Sequence, residues 1–253
     1  GGSEVVLEGG PEPWVVANHQ DAVYPALSLF EATVFSVNVV YARVVELIGA
    51  ERVADLAAAA GITANLDPLP SLALGTQEVS VLDMASAYGT FAAGGIHVDP
   101  IFVTRIENAD GTVIYEAVQH MTRAMEPETA DGVTAALTDA VRRGTGQHAR
   151  IGRPVAGKTG TSEAHSDAWF VGYSCELTTA VWMGYEQPRP MDTFLGVEVS
   201  GGAFPAQIWR DHMRDAVRDE APCEFPETDA GERLVNQSLE WVRSTTTTTP
   251  VRP

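Results

Sequence analysis

Lysine is almost absent from this sequence of 253 residues: Lys158 is the only one, and arginine supplies the other 15 of the 16 basic residues. A general preference for arginine accounts for the shortage but not for the one lysine that remains. A lysine ammonium can release its proton when it is desolvated, whereas an arginine guanidinium effectively cannot. Lys158 is therefore a candidate for proton transfer, or for one compact positive charge in a narrow groove.

Positive charge is scarce as a whole, since 34 acidic residues outnumber the basic ones and leave a net charge of −18. Such a surface repels phosphate backbones and anionic lipid, so nucleic acid is excluded as an expected partner. No apolar run reaches the length of about 18 residues that indicates a membrane span. The first ten residues, GGSEVVLEGG, contain no signal peptide and no initiator Met, so we expect the chain to be cut from a longer one.

Cysteine is nearly absent too, with Cys175 and Cys223 as the only two. Their spacing is not that of a metal site, and the sequence gives no reason to expect a metal or another cofactor. Two interpretations stay open, namely two buried thiols or a disulfide formed in an oxidising compartment.

Hydrophobic periodicity and turn residues predict helices first and strands later. Residues 1–25 are predicted to form a loop. Helices are predicted over residues 27–35, 39–48, 51–60, 79–92 and 127–143. A last helix follows Gly201-Gly202, and its apolar face is predicted from Ile208, Trp209, His212, Met213, Ala216 and Val217.

The strands are predicted to pair with their neighbours along the chain. Strands over 101–107 and 112–116 flank Asp110-Gly111, which is a hairpin signal. Strands over 154–162, 168–174 and 178–185 are joined by short turns and predict an antiparallel meander. The order of elements predicts an α+β fold, an antiparallel sheet flanked by helices, over residues 1–221. Residues 222–253 turn acidic and then Thr/Pro-rich, and we expect a disordered tail.

The sequence around Lys158 allows two structures. Residues 152–159 match the pattern G-x-x-x-x-G-K-[ST] of a phosphate-binding loop, which needs a strand before the loop and a helix beginning at the lysine. The flanking sequence predicts neither. The favoured alternative is a strand that presents residues 158–161, Lys-Thr-Gly-Thr, along a catalytic groove. Thr159 and Thr161 then point to one face, and Gly160 lets a substrate backbone approach.

A second motif, Ser36-Val37-Asn38, lies between two predicted helices. Taken alone, it is explained by helix capping, because Ser and Asn are common N-cap residues. An S-x-N followed by K-T-G is, however, the signature of serine acyl transferases that act on β-lactams and peptidoglycan. With these motifs, and with matching segments between residues 12 and 217 such as Ala73–Ser80, Arg143–Gly146 and Asp167–Tyr173, the chain resembles the transpeptidase domain of class A penicillin-binding proteins.

The resemblance implies a β-lactamase/transpeptidase-like fold and cross-linking of peptidoglycan stem peptides at D-Ala-D-Ala. It implies that Ser36 relays a proton, that Asn38 binds the substrate amide and that Lys158 supplies positive charge. It further implies that Thr159 and Thr161 hold the carboxylate of a stem peptide or β-lactam, with the Thr161 amide in the oxyanion hole and Gly160 between them.

One departure from the family is serious, because no S-x-x-K nucleophile motif occurs in these 253 residues. We therefore expect this chain to be inactive alone and the N-terminal part of the domain to be missing. The resemblance implies that this part, a membrane anchor and a family 51 glycosyltransferase domain lie upstream of residue 1. It also implies that the protein acts at the outer face of the bacterial cytoplasmic membrane. A non-catalytic module that binds peptidoglycan or β-lactams is the alternative.

The adjacent residues His165, Ser166 and Asp167 include the types found in a catalytic triad. Neighbours on an extended chain point apart, so a turn is the better interpretation. Glu163 and Asp167 are expected to lie near the groove, where they could shape binding of the acceptor.

Overall fold

The computed structural model describes residues 2–7, 13–162 and 165–226. Within these residues the chain forms six α-helices, α1 Leu29–Phe35, α2 Asn38–Ile48, α3 Ala50–Ala60, α4 Val81–Ala92, α5 Pro127–Arg142 and α6 Phe204–Ala216. It also forms eleven strands, β1 Glu4–Leu7, β2 Trp14–Ala17, β3 Ile96–Val98, β4 Arg105–Glu107, β5 Val113–Glu116, β6 Met121–Arg123, β7 Ala156–Thr161, β8 Asp167–Tyr173, β9 Thr178–Gly184, β10 Thr193–Phe194 and β11 Val197–Glu198. The predicted α+β class is confirmed.

Local sequence explains where the helices begin and end. The hydroxyls of Ser28 and Ser80 accept hydrogen bonds from backbone amides three residues later and cap the starts of α1 and α4. Gly61 ends α3 in a left-handed conformation with φ 118°, which a residue with a Cβ rarely adopts. The bounds of the predicted helices agree with the observed ones to within about two residues at each end.

The central sheet is the antiparallel meander β7-β8-β9, as the sequence predicts. In its register Lys158 lies opposite Val171 and Thr159 lies opposite Phe170. Phe170 is fully buried and its ring packs edge-to-face on Trp209 of α6 at 5.2 Å between centroids. Helix α5 packs against β7, so the strand that carries Lys158 is in contact with both β8 and α5.

The predicted loop over residues 1–25 is wrong, because β1 and β2 pair into an antiparallel hairpin in this region. Val5, Leu7 and Val16 of the hairpin are buried against α1 and α2. Strands this short give little periodic signal, and the Gly- and Pro-rich sequence between them favours a loop prediction. The short pairs β3-β6 and β10-β11 escaped prediction for the same reason.

The predicted apolar face of α6 is partly wrong. Trp209, Met213 and Val217 are buried as expected, but Ile208 is 52% exposed. His212 and Ala216 are exposed as well. The buried stripe runs i, i+4, i+8 from Trp209 to Val217, and its neighbours on the N-terminal side face water. Hydrophobicity alone could not tell which of two adjacent residues faces the sheet.

The predicted hairpin is present with shorter strands, β4 and β5, around a turn in which Gly111 has φ 85°. Every residue of these two strands is exposed.

Cys175 and Cys223 form a disulfide, which resolves the two interpretations left open by the sequence. Phe225 packs edge-to-face on Tyr173 at 5.7 Å between ring centroids. Residues 222–226 are thus attached to the core, and residues 227–253, where most of the predicted tail falls, lie outside the described residues.

Candidate active site

A groove of about 1860 Å³ runs between the turn that joins α1 to α2 and the strand β7. Residues of β2, α4 and α5 complete its walls. All six residues singled out from the sequence line this groove, namely Ser36, Asn38, Lys158, Thr159, Gly160 and Thr161. The fold thus brings together two motifs that are about 120 residues apart in sequence.

Ser36 and Lys158 are in direct contact across the groove. The Nζ of Lys158 donates a hydrogen bond to the Oγ of Ser36 at 2.6 Å and another to the carbonyl of Thr159 at 3.0 Å. Burial disfavours the ammonium and lowers the pKa of Lys158 to about 8. Ser36 itself adopts the left-handed conformation, φ 56°, at the end of α1, and this directs the backbone from one helix into the next.

Asn38 does not cap a helix, so the capping interpretation is wrong. It is the first residue of α2, and its Nδ2 donates to the carbonyl of Ala17 in β2 at 3.0 Å. The capping contact comes from another residue, Asn18, whose Oδ1 accepts from the amide of Val39 at 3.2 Å. Nδ2 of Asn38 carries a second hydrogen and Oδ1 two lone pairs, and within residues 2–7, 13–162 and 165–226 no other group bonds them, so they can bind a ligand in the groove.

The strand β7 supplies the opposite wall. In the described part of the chain only β8 pairs with it, so its other edge is not covered by a strand. The Oγ1 of Thr159 lies 2.7 Å from the Oγ1 of Thr145, and the Oγ1 of Thr161 accepts from the amide of Gly201 at 3.0 Å. Because Thr161 uses its oxygen as acceptor there, its hydroxyl hydrogen can be donated to a ligand.

The structure contradicts two other interpretations of the sequence. No helix begins at Lys158, which lies inside β7, so the phosphate-binding loop is wrong. His165 and Asp167 of the apparent triad have separate partners: Nδ1 of His165 contacts the carbonyl of Val199 at 2.6 Å, and Asp167 accepts from Nε1 of Trp182 at 3.0 Å. Glu163 lies outside the described residues.

Sequence reasoning missed several groups around the site. Thr145 contacts Thr159, and Asn18 holds the start of α2. The ion pair of Arg143 with Glu31 joins α5 to α1. The segment 143–146 stood out only as one of the stretches that carry the family resemblance. Nothing in the local pattern indicated its contacts, because their partners are far away in sequence.

The arrangement combines an ammonium that can lose its proton, a serine hydroxyl, a carboxamide and two threonine hydroxyls. These groups can bind a carboxylate and relay a proton, as an acyl transfer requires. Across residues 2–7, 13–162 and 165–226 there is no cluster of three His, Cys, Asp or Glu side chains suited to a metal ion.

Comparisons with known proteins identify the fold as that of a transpeptidase domain. Residues 7–188 match the family model of the penicillin-binding protein transpeptidase domain. Penicillin-binding protein 1A of Aquifex aeolicus is 35% identical over 209 residues, 82% of this chain, and that of Mycobacterium tuberculosis is 33% identical over 228 residues, 79% of this chain. The chain belongs to the penicillin-binding protein transpeptidase family.

Solved structures give the same result. The PonA1 protein of Mycobacterium tuberculosis, solved in complex with penicillin V, superposes with a TM-score of 0.79 at 31% identity, over 89% of this chain and 64% of that one. Penicillin-binding protein 1A of Haemophilus influenzae shares the fold, with a TM-score of 0.78 at 22% identity, over 89% of this chain and 39% of that one.

The chain spans less than a third of the two curated relatives, 28% of the Aquifex protein and 27% of the mycobacterial one. Among the described residues no helix is both long enough and apolar enough to cross a membrane.

Proposed function

We propose that the chain forms the substrate groove of a serine D,D-transpeptidase that cross-links peptidoglycan stem peptides and is acylated by β-lactams. The observation that carries this proposal is the 2.6 Å hydrogen bond from Lys158 Nζ to Ser36 Oγ inside the groove. In the reaction a serine attacks the carbonyl of the D-Ala-D-Ala bond and D-Ala leaves. The amine of a second stem peptide then attacks the acyl-enzyme and releases the serine.

Ser36 and Lys158 are the proposed proton relay. A lysine whose pKa is about 8 is mostly protonated at neutral pH, yet its neutral form is readily reached. Passing a proton between Nζ and Oγ needs no rearrangement at this distance. While Lys158 is protonated, its charge favours an anionic substrate. As D-Ala leaves, Ser36 gives its hydroxyl proton to the amine and takes the proton of Lys158 in its place, which leaves Lys158 neutral until solvent reprotonates it.

The other residues have proposed roles in binding. Asn38 is held by β2 through one of its amide hydrogens, which leaves the rest of the carboxamide for the substrate amide. The hydroxyls of Thr159 and Thr161 on β7 would hold the terminal carboxylate of a stem peptide or the carboxylate of a β-lactam. Gly160 between them adds no side chain, and the Thr161 amide would donate to the oxyanion.

The nucleophile is proposed to come from a segment outside this chain, because none of the serines here is followed by lysine three residues later. The size of the groove supports this proposal. Small-molecule pockets commonly measure about 300–1000 Å³, and this groove of about 1860 Å³ reaches Tyr88 of α4 and Leu137 of α5, beyond the two motifs. The volume exceeds what a small-molecule substrate needs, which supports a further segment carrying S-x-x-K at this groove.

The proposed location is the outer face of the bacterial cytoplasmic membrane, with an anchor and a glycosyltransferase domain preceding this chain. The disulfide between Cys175 and Cys223 supports an oxidising compartment. The alternative function is a non-catalytic module that uses the same groove to bind peptidoglycan or β-lactams.

Incubation with fluorescent penicillin, followed by intact-mass spectrometry, tests the proposal. We expect no covalent adduct on this chain and one penicilloyl group on a longer version of the protein that includes an S-x-x-K motif. A serine-to-alanine change in that motif should abolish the adduct. A stable adduct on this chain alone would refute the assignment of the nucleophile, and reversible binding by a longer version without any S-x-x-K would establish the alternative.

A further inference from the structure

The segment 143–145 directly follows α5 and contacts both walls of the groove. One wall contains Ser36 at the end of α1, and the other contains Thr159 on β7. Arg143 makes its contact through its charge, Gly144 through its backbone and Thr145 through its hydroxyl. This segment is called the bridging segment below.

Arg143 holds the wall that contains Ser36. Its Nη1 and Nη2 donate to the two carboxylate oxygens of Glu31 in α1 at 3.0 and 2.6 Å, a bidentate pair. Its Nε donates to Asp139 of α5 at 2.8 Å, and its guanidinium lies 5.6 Å from the ring centroid of Phe35. Phe35 is the last residue of α1, so the guanidinium fixes the helix end from which Ser36 projects.

Gly144 brings the two helices into backbone contact. A Cβ at this position would lie 2.2 Å from the carbonyl oxygen of Val34 in α1 and 2.9 Å from the Cα of Ala140 in α5. Any other residue would therefore push α1 away from α5. The distance between these helices is set by main-chain atoms and leaves little freedom.

Thr145 reaches the wall that contains β7. Its Oγ1 lies 2.7 Å from the Oγ1 of Thr159. The chain at Gly202 packs closely on Thr145, because a Cβ at Gly202 would lie 2.7 Å from the carbonyl oxygen of Thr145. The hydroxyl of Thr159 is thus oriented by a partner on the same segment that holds α1.

We propose that the bridging segment is a positioning element that sets the separation of Ser36 and Lys158, with Arg143 fixing the Ser36 wall and Thr145 orienting the Thr159 hydroxyl. The inference rests on the proposed function, since only a proton relay and a carboxylate site need this separation. Helix α1 has seven residues and is followed by Ser36 in a left-handed conformation, which persists only when its surroundings impose it. The contacts of Arg143 and Gly144 supply that restraint.

The single lysine makes the separation measurable without any enzymatic activity. In a chain labelled with ¹³C,¹⁵N-lysine, Lys158 is the one lysine signal, and its titration reports how well its Nζ is shielded from water. If the Ser36 wall loosens, water reaches the ammonium and the pKa of Lys158 rises towards its ordinary value, about 10.4.

Two variants with opposite charge changes separate positioning from simple electrostatics. Arg143→Gln removes a positive charge and Glu31→Gln removes a negative one, so a Coulomb effect alone moves the pKa of Lys158 up in the first and down in the second. Positioning predicts that both variants raise it, by at least about half a pH unit. Arg142→Gln is the matched control, because Arg142 pairs with Asp139 but not with Glu31.

The outcomes are distinct. Upward shifts in both Arg143→Gln and Glu31→Gln, with none in Arg142→Gln, support the proposal. Opposite shifts, no shifts, or an equal shift in the control overturn it. If Arg143→Gln fails to fold in thermal unfolding, Glu31→Gln decides the question, since it removes the same ion pair and leaves the contact of Arg143 with Asp139.

Thr145 is tested in the longer protein that carries S-x-x-K. Thr145→Val should weaken the apparent affinity for penicillin about tenfold without changing the limiting acylation rate, and Thr145→Ser should restore it. A fall in the limiting rate alone, or no rescue by serine, would contradict the role of Thr145. The lysine titration does not depend on acylation, so failure of the proposed function and failure of the positioning role are read from different experiments.

Discussion

The ammonium of Lys158 and the hydroxyl of Ser36 share a 2.6 Å hydrogen bond although 122 residues separate them in the chain. Lys158 lies within β7, and Ser36 directly follows α1. The contact therefore reports how the helical part of the fold and the sheet are placed against each other. A shift of either element would lengthen this hydrogen bond.

Replacing Lys158 by arginine keeps the positive charge but removes proton exchange. In the longer protein that carries S-x-x-K, we expect Lys158→Arg to slow acylation by fluorescent penicillin about 10²- to 10⁴-fold, the usual contribution of a positioned acid or base. Stopped-flow or quenched labelling measures the rate. Arg142→Lys, an exposed change in the other direction, is the control and should leave the rate unchanged. Acylation of Lys158→Arg at the normal rate would remove Lys158 from the relay.

Stability should depend on pH through Lys158. Its pKa is about 8 in the folded chain and about 10.4 in the unfolded one, so between these values the unfolded state binds more protons. The free energy of unfolding then rises with pH across this window, by on the order of 3 kcal/mol in total. The difference between the original chain and Lys158→Met, from urea unfolding at several pH values, isolates this effect. A difference that is flat from pH 8 to 10.5, or that falls, would contradict the lowered pKa.

Gly201 is expected to tolerate no side chain. A Cβ there would lie 2.2 Å from the carbonyl oxygen of Trp169 and 2.4 Å from that of Gly160, so the backbone near the groove would have to move. We expect Gly201→Ala to lower the free energy of unfolding by about 3 kcal/mol. Gly89→Ala in α4 is the control, because its Cβ would meet nothing nearer than 3.9 Å. Equal unfolding midpoints for the two variants in denaturant would show the packing at Gly201 to be wrong.

The disulfide should stabilise the fold without shaping the groove. It closes a loop of 48 residues, which corresponds to about 4 kcal/mol in a chain-entropy model. We expect the double variant Cys175→Ala/Cys223→Ala to lose up to that amount in urea unfolding and to keep the lysine titration unchanged. Detection of two free thiols by alkylation and mass spectrometry in the unreduced chain would contradict the pairing.

Much of the fold could be predicted because its signals are local. The helices α2 and α5 show their apolar periodicity in the sequence, and Gly49 and Gly61 end α2 and α3 as expected. The meander β7-β8-β9 follows from three β-rich runs with short turns. That Ser36 and Lys158 share a groove followed from the family resemblance, since no pattern within either motif indicates the other.

What escaped prediction depends on contacts between distant residues. The β1-β2 hairpin has strands of four residues, and its role in holding Asn38 is visible only after folding. The ion pair of Arg143 with Glu31 spans 112 residues, and a charged pair leaves no periodic trace in a sequence. The burial of Trp209 rather than its neighbour Ile208 was decided by the sheet on which α6 packs.

The central claim, that this groove is where a β-lactam binds and acylates the protein, is tested most directly by a crystal structure of the longer protein acylated by penicillin. The proposal predicts that the penicillin carboxylate lies within hydrogen-bond distance of the Thr159 and Thr161 hydroxyls, with its amide against Asn38 and Ser36 still in contact with Lys158. An adduct bound elsewhere, or one whose carboxylate points away from β7, would contradict it.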